Sequence, residues 1–178
     1  MTDFLNNAEK FIKILLSWDK GTTAEPGVMD LAKYIHVQFN NIRDYSDDQL
    51  PGIGVKCYEY TDDESATQII KGTAQITMAG QQAEIEGTLS QLTAAVHNAL
   101  KYGCMQLEEK IHAKEVAYAA LTPPITDPVI IADYLDVVFM RSMITQIMDV
   151  QPKSGNILFL DDKSIFIMMG LVNFEVRS

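Results

Sequence analysis

The sequence predicts an α+β fold: an antiparallel sheet of about four to five strands packed by helices on one face, plus an extra N-terminal helix. Three observations carry this. Apolar and polar residues alternate on either side of an acidic turn at residues 61–66. A stripe at Ile85, Leu89, Leu92, Val96 and Leu100 advances by four, three, four and four. A second apolar pair of segments flanks Asp161-Asp162-Lys163. Helices, a hairpin, helices and then strands is an α+β order. With 178 residues, 47% hydrophobic and 21% charged, the chain suits a single domain spanning 1–178. That size buries a core without disulfides.

Taken in order, residues 3–17 are predicted helical. Phe4, Ala8, Phe11 or Ile12, and Leu15 form its stripe, with Lys10 and Lys13 outside it. Asp19 to Gly27 is a polar break, so 1–27 is a helix and loop that form a candidate peripheral arm. A helix from about Val28 to Arg43 follows, with Leu31, Ile35, Phe39 and Ile42 on one face. An acidic turn, Asp44 to Gln49, leads into the hairpin.

In the hairpin's first strand, Ile53, Val55 and Cys57 share one face and Lys56, Tyr58 and Tyr60 the other. In the second, Ile70, Gly72, Ala74, Ile76 and Met78 oppose Lys71, Thr73, Gln75 and Thr77. A sheet with one packed and one wet face is expected. The stripe that begins at Ile85 continues through Cys104, Leu107 and Ile111, with a kink or a break at Tyr102-Gly103. Ala117 to Pro128, with Pro123-Pro124 and Asp127-Pro128, is no continuous helix. Val129 to Val150 reads as helix at its start and extended by its end, although Val137 to Met140 also suits a strand. Ile157–Leu160 and Ser164–Arg177 make the second hairpin. Its last strand, apolar on both faces from Ile165 to Val172, is expected at the centre of its sheet or covered on both faces.

Composition excludes several function classes. Cys57 and Cys104 form no CxxC pair, which fits a reduced setting with both as small buried hydrophobes. Met1-Thr2-Asp3 is acidic where a secretory signal is basic, and no apolar run reaches the ~20 residues of a membrane span. Net charge is −10, from 14 basic and 24 acidic residues. The basic residues are scattered singly, so tight nucleic-acid binding is not expected.

No constellation declares a reaction. His36, His97 and His112 lack metal-pair spacing and read as solvated helix residues. Pro51-Gly52-Ile53-Gly54 enters a strand and lacks a following phosphate-loop lysine, and no GxSxG is present. Nothing near either cysteine in sequence lowers a thiol pKa. Asp44/Asp47/Asp48, Asp62/Asp63/Glu64 and Asp161/Asp162 lack an EF-hand's alternating ligands and read as solvated loop tips. Met140, Met143, Met148, Met168 and Met169 are core filler or an adaptable surface. No catalytic residue, metal or cofactor is assigned.

Leu50-Pro51-Gly52-Ile53-Gly54-Val55, an acidic loop, a long alternating strand, a helix, and a closing Val172-Asn173-Phe174-Glu175-Val176 together resemble the tail terminator proteins of long-tailed bacteriophages. The resemblance covers roughly residues 28–111 and 157–178. The helix before Asp19 and the stretch from Ala117 to Gln151 depart from it. It implies a non-enzymatic virion protein, assembled in the host cytoplasm, whose hexameric ring caps the tail tube and meets neck or head-completion proteins. Six copies would carry a formal charge of about −60, suited to a channel through which DNA slides without sticking. Strand edges and hairpin tips would supply the contacts. The candidate interface residues are Asp62, Asp63 and Glu64 at the tip, with Tyr58 and Tyr60 before it. A neck or head–tail connector is the alternative within the class. A small cytosolic enzyme or regulatory binding protein is the alternative outside it.

Overall fold

The computed structural model describes residues 2–18, 30–35, 46–62, 69–81, 91–92, 94–100, 105–144, 147–160 and 165–177. The architecture is mixed α+β. Helix α1 (Thr2–Ser17) precedes a 3-10 turn at Leu31–Tyr34, and strands β1 (Gly52–Asp62) and β2 (Ile69–Gln81) follow. Residues 91–92 are helical, as are residues 94–100, here α2. Then come α3 (Leu107–Ala119), α4 (Pro128–Met143), β3 (Ile147–Leu160) and β4 (Ile165–Arg177). The pairings among these four strands are antiparallel and their order is β1-β2-β4-β3, so β4 lies inside the sheet, one of the two placements its apolar run allows.

The hairpin's core face follows from its alternation. Ile53 pairs with Met78, Val55 with Ile76 and Cys57 with Ala74. All six are at most 4% exposed, whereas Lys56, Thr73, Gln75 and Thr77 are half-buried. Alternation stops at a bulge between Cys57 and Glu59, after which Glu59 pairs with Thr73 and Tyr60 with Gly72. The extra residue breaks the strict two-residue repeat expected to group Lys56, Tyr58 and Tyr60. The strand also runs further than expected: Thr61 pairs with Lys71 and Asp62 with Ile70, so neither belongs to the turn.

Helix α1 is no peripheral arm. It packs on β1, and Ala8, Phe11, Ile12, Leu15 and Leu16 are at most 2% exposed. Each of the larger side chains gives about 1.5–3 kcal/mol on burial. Every residue from Phe11 to Leu16 is buried, including Lys13, which the stripe placed outside. The helix is covered around most of its middle turns, so a one-sided pattern understates it.

The helix expected from Val28 to Arg43 is replaced, over the described residues 30–35, by a short 3-10 turn. Asp30 caps it by accepting the Ala32 N–H at 3.3 Å. Ile35 is then extended and bridges Ile53 in parallel. Leu31 and Ile35 are buried as the spacing required, but local capping and edge pairing outcompete helix. Residues 28–29 and 36–43, with His36, lie outside the described residues, as does the loop at 19–27.

Leu92, Val96 and Leu100 are buried, while Ile85 and Leu89 of the same stripe lie outside the described residues. A turn at Met105-Gln106 precedes α3, where Leu107 and Ile111 are again buried. Tyr102, Gly103 and Cys104 lie outside the described residues. Val129 to Val150 divides as read, with helix to Met143 and strand from Ile147. The second hairpin forms with Leu160 opposite Ile165, and Asp161 to Lys163 lie outside the described residues. Strand β3 is longer than its apolar segment, running back through Pro152 to Ile147 with two irregularities.

Candidate functional site: an uncharged face on a helical hairpin

Helices α3 and α4 form a hairpin whose start and turn are written locally. Asp127 caps α4 by accepting the Val129 N–H at 2.8 Å, and Pro128 occupies the first turn, where its missing N–H costs nothing. Pro123-Pro124 forbids continuation of α3.

All three charged residues of α4 are turned into pairs with neighbouring helices. Asp133 accepts Lys114 Nζ at 2.7 and 2.9 Å and also the Tyr118 hydroxyl, both from α3. Burial, with the Asp133 contact behind it, raises the Tyr118 pKa. Asp136 lies 3.6 Å from Lys10 of α1, and burial outweighs that lysine to raise its pKa. Arg141 forks onto Glu115, with Nε–Oε1 at 2.9 Å and Nη2–Oε2 at 2.8 Å. The fork holds the Glu115 carboxyl below its ordinary pKa and Arg141 above its own. Lys10 and Lys114 also lie over the Phe139 and Trp18 rings, at 4.4 and 4.9 Å, tying the hairpin to α1.

What remains outward on α4 is mainly apolar, with the exposed Ser142 near its C-terminal end. Ile131, Leu135 and Val138, spaced by four and three along the helix, are 42%, 58% and 48% exposed. Tyr134 joins them, while the buried positions are Val137, Met140 and Met143. The helix therefore has two apolar faces, one packed inward and one open. Beside the open face is a groove of about 470 Å³ between the helices, lined by Glu115, which is held by Arg141, and by Tyr118, Ile125, Ile130, Ile131 and Tyr134 among others. Tyr118 and Tyr134 meet edge-to-face at 5.3 Å along it. Open apolar surface of this kind marks contact sites.

A second constellation lies between α1 and β1. Glu9, 2% exposed, accepts the Cys57 backbone N–H at 2.9 Å and sits 3.1 Å from Lys56 Nζ. Burial lowers the Lys13 pKa, against the opposing pull of Glu9. Burial and the Glu9 charge push the Cys57 thiol up to about 12, which makes it inert as a nucleophile. A cleft of about 390 Å³ opens here, lined by Glu9, Lys10, Lys13, Ser17, Ile35 and Asp136 among others.

Of the interface residues named from sequence, Tyr58 is the extra residue of the β1 bulge, and Tyr60 and Asp62 are paired strand positions. Asp63 and Glu64 lie outside the described residues. The α4 face was missed because helical spacing alone does not say which apolar positions of a helix turn inward. The Glu9 cluster was missed because an acid next to a core stripe gives no signal of its own. His97 and His112 are exposed helix residues. Among the described residues no group of three His, Cys, Asp or Glu is placed to hold a metal, and no helix is long and apolar enough to cross a membrane. No protein-family model and no curated protein matches this chain.

Proposed function

We propose that this protein is a structural assembly protein of a phage or phage-like tail, a terminator whose ring caps the tail tube and joins it to the neck. It acts by docking and not by catalysis. The open, uncharged face of α4 carries the reading, because apolar surface on a strongly acidic protein is suited to contact with other protein. The sheet supports it with two edge strands, β1 and β3. Ile35 and Glu9 occupy part of the β1 edge, and Pro152 interrupts the first half of β3. The stretch 154–160 is left as the regular edge for strand addition. A sheet packed by helices on one face, hexamer formation, a place in the virion tail, and tube and neck proteins as partners belong to the same reading.

A second reading, a small enzyme or regulatory binding protein, is favoured by the cleft that gathers Glu9, Lys10, Lys13 and Asp136. The buried Glu9–Cys57 hydrogen bond weighs against it, since it commits that carboxylate to holding β1. Light scattering of the purified protein, alone and with tail tubes, tests the choice. Discrete rings that co-sediment with tubes favour the terminator. A monomer that ignores tubes but binds a small metabolite favours the second reading. Replacing Asp62, Asp63 and Glu64 with Ser tests whether the end of β1 and the two residues after it take part in capping.

A further inference from the structure

We propose that the Lys13 amine, on the wall of the cleft that α1 forms with the 3-10 turn, is a covalent binding site for small neutral carbonyl compounds, which it takes as an imine. The inference concerns what the cleft binds and rests on neither reading of the function.

The position of Lys13 is unusual for its type. It is 6% exposed, in the middle turns of α1, yet it lines a cleft of about 390 Å³ together with Asn6, Ile14, Ser17, Ala32 and Ile35. An ammonium is costly to bury, and a buried lysine answers by releasing its proton more readily. Desolvation is the largest influence on this amine and lowers its pKa. Glu9, one turn back on α1, favours the charged form, Lys56 of β1 opposes it, and Cys57 of β1 favours it. Burial prevails over the carboxylate, and the pKa lies below the ordinary lysine value.

The class of ligand follows from the surroundings. Lys10 lies 3.6 Å from Asp136, and Lys56 lies 3.1 Å from Glu9. A charged ligand would compete with these pairs, whereas a neutral one leaves both in place. Ile14, Ala32 and Ile35 offer an apolar wall for its substituent. An uncharged lysine amine is a nucleophile toward carbonyl carbon, and the reaction needs no further reagent. The Nζ lone pair attacks the carbonyl carbon, and the oxygen takes up a proton. The carbinolamine then loses its hydroxyl as water while the nitrogen sheds its proton, so one C=O and two N–H bonds become C=N and water. Nothing is oxidised or reduced, and hydrolysis by the same path makes the binding reversible.

The experiment treats the full chain with benzaldehyde, fixes imines with cyanoborohydride, and times the modification of each lysine by peptide mass. An ordinary lysine pKa of about 10.4 leaves roughly one amine in 2,500 uncharged at pH 7. Lys13 should therefore be modified about tenfold faster than exposed lysines, and its rate should level off at a lower pH than theirs. Ala32→Trp fills the cleft from an exposed position without touching the amine. It should abolish the fast modification of Lys13, leave other lysines unchanged and keep the melting temperature. Lys13→Met should remove the fast phase altogether. Modification of Lys13 in wild type no faster than at exposed lysines overturns the proposal and leaves the side chain a packing role. Fast modification that persists in Ala32→Trp overturns it too, because the reactive amine would then not be reached through this cleft. A protein that fails to cap tail tubes but shows the fast, cleft-dependent reaction would remove the tail reading alone.

Discussion

The Glu9 carboxylate reaches from α1 to accept the backbone N–H of Cys57 at 2.9 Å, at the residue where β1 enters its bulge. β1 is an edge strand, so N–H groups on its open side have no strand to receive them. Glu9 fills that need while 2% exposed, and Lys56 offsets its charge from 3.1 Å. Glu9→Ala should therefore cost about 2–4 kcal/mol, combining an unsatisfied buried donor with a broken charge pair. Urea unfolding measures this, and a loss under about 0.5 kcal/mol would show that the contact is incidental.

Cys57 should resist alkylation in the folded protein. Its thiol is raised to about 12, so it stays protonated at pH 8.5, where a free thiol is half ionised. The sign for stability follows. The folded state holds this proton more tightly, so the contribution is full below the unfolded pKa of about 8.5 and is lost as pH rises toward 12. Iodoacetamide labelling with peptide mapping should find Cys57 modified only in denaturant. Native labelling at a free-thiol rate would contradict its burial.

Arg141 should control the titration of Glu115. The fork lowers the Glu115 pKa, so its stabilising effect is present above the unfolded value of about 4.3 and lost as pH falls through the lower folded value. In Arg141→Gln the Glu115 carboxyl resonance should titrate at a higher pH than in wild type. An unchanged midpoint would mean that the fork does not persist in solution.

Leu92→Ala should cost ~2–5 kcal/mol, because Leu92 is fully buried in the cluster that joins α1, β1 and β2. A chemical-denaturation midpoint that does not move would place the helical residues 91–92 outside the cooperative core.

Magnesium, zinc and ATP should leave the melting temperature unchanged, since no sequence motif supplies ligand spacing or a phosphate cradle and a true ligand stabilises by mass action. A reproducible rise of several degrees with any of them would favour the enzyme reading.

Where the sequence was legible, one physical signal dominated. Ile53, Val55, Cys57, Ala74, Ile76 and Met78 alternate cleanly and form one buried face. Leu92, Val96 and Leu100 keep a helical step and are buried together. Signals competed where it misled. Leu31 and Ile35 are spaced as on a helix, but the Asp30 cap and the bridge to Ile53 decide the backbone. Ile131, Leu135 and Val138 have a core stripe's spacing, but α4 carries a second apolar set, and periodicity cannot choose which of two faces turns inward. Glu9 and Lys13 sit one helical turn apart, which reads as a solvated pair until β1 is laid over them.

Capping of a tail tube is the property on which the proposed function depends. Tubes grown from the tail-tube protein of the same genome, with and without this protein, should be compared by negative-stain electron microscopy. A ring at one end of each tube and arrested growth are predicted. Tubes of the same length distribution with bare ends at saturating protein would contradict it.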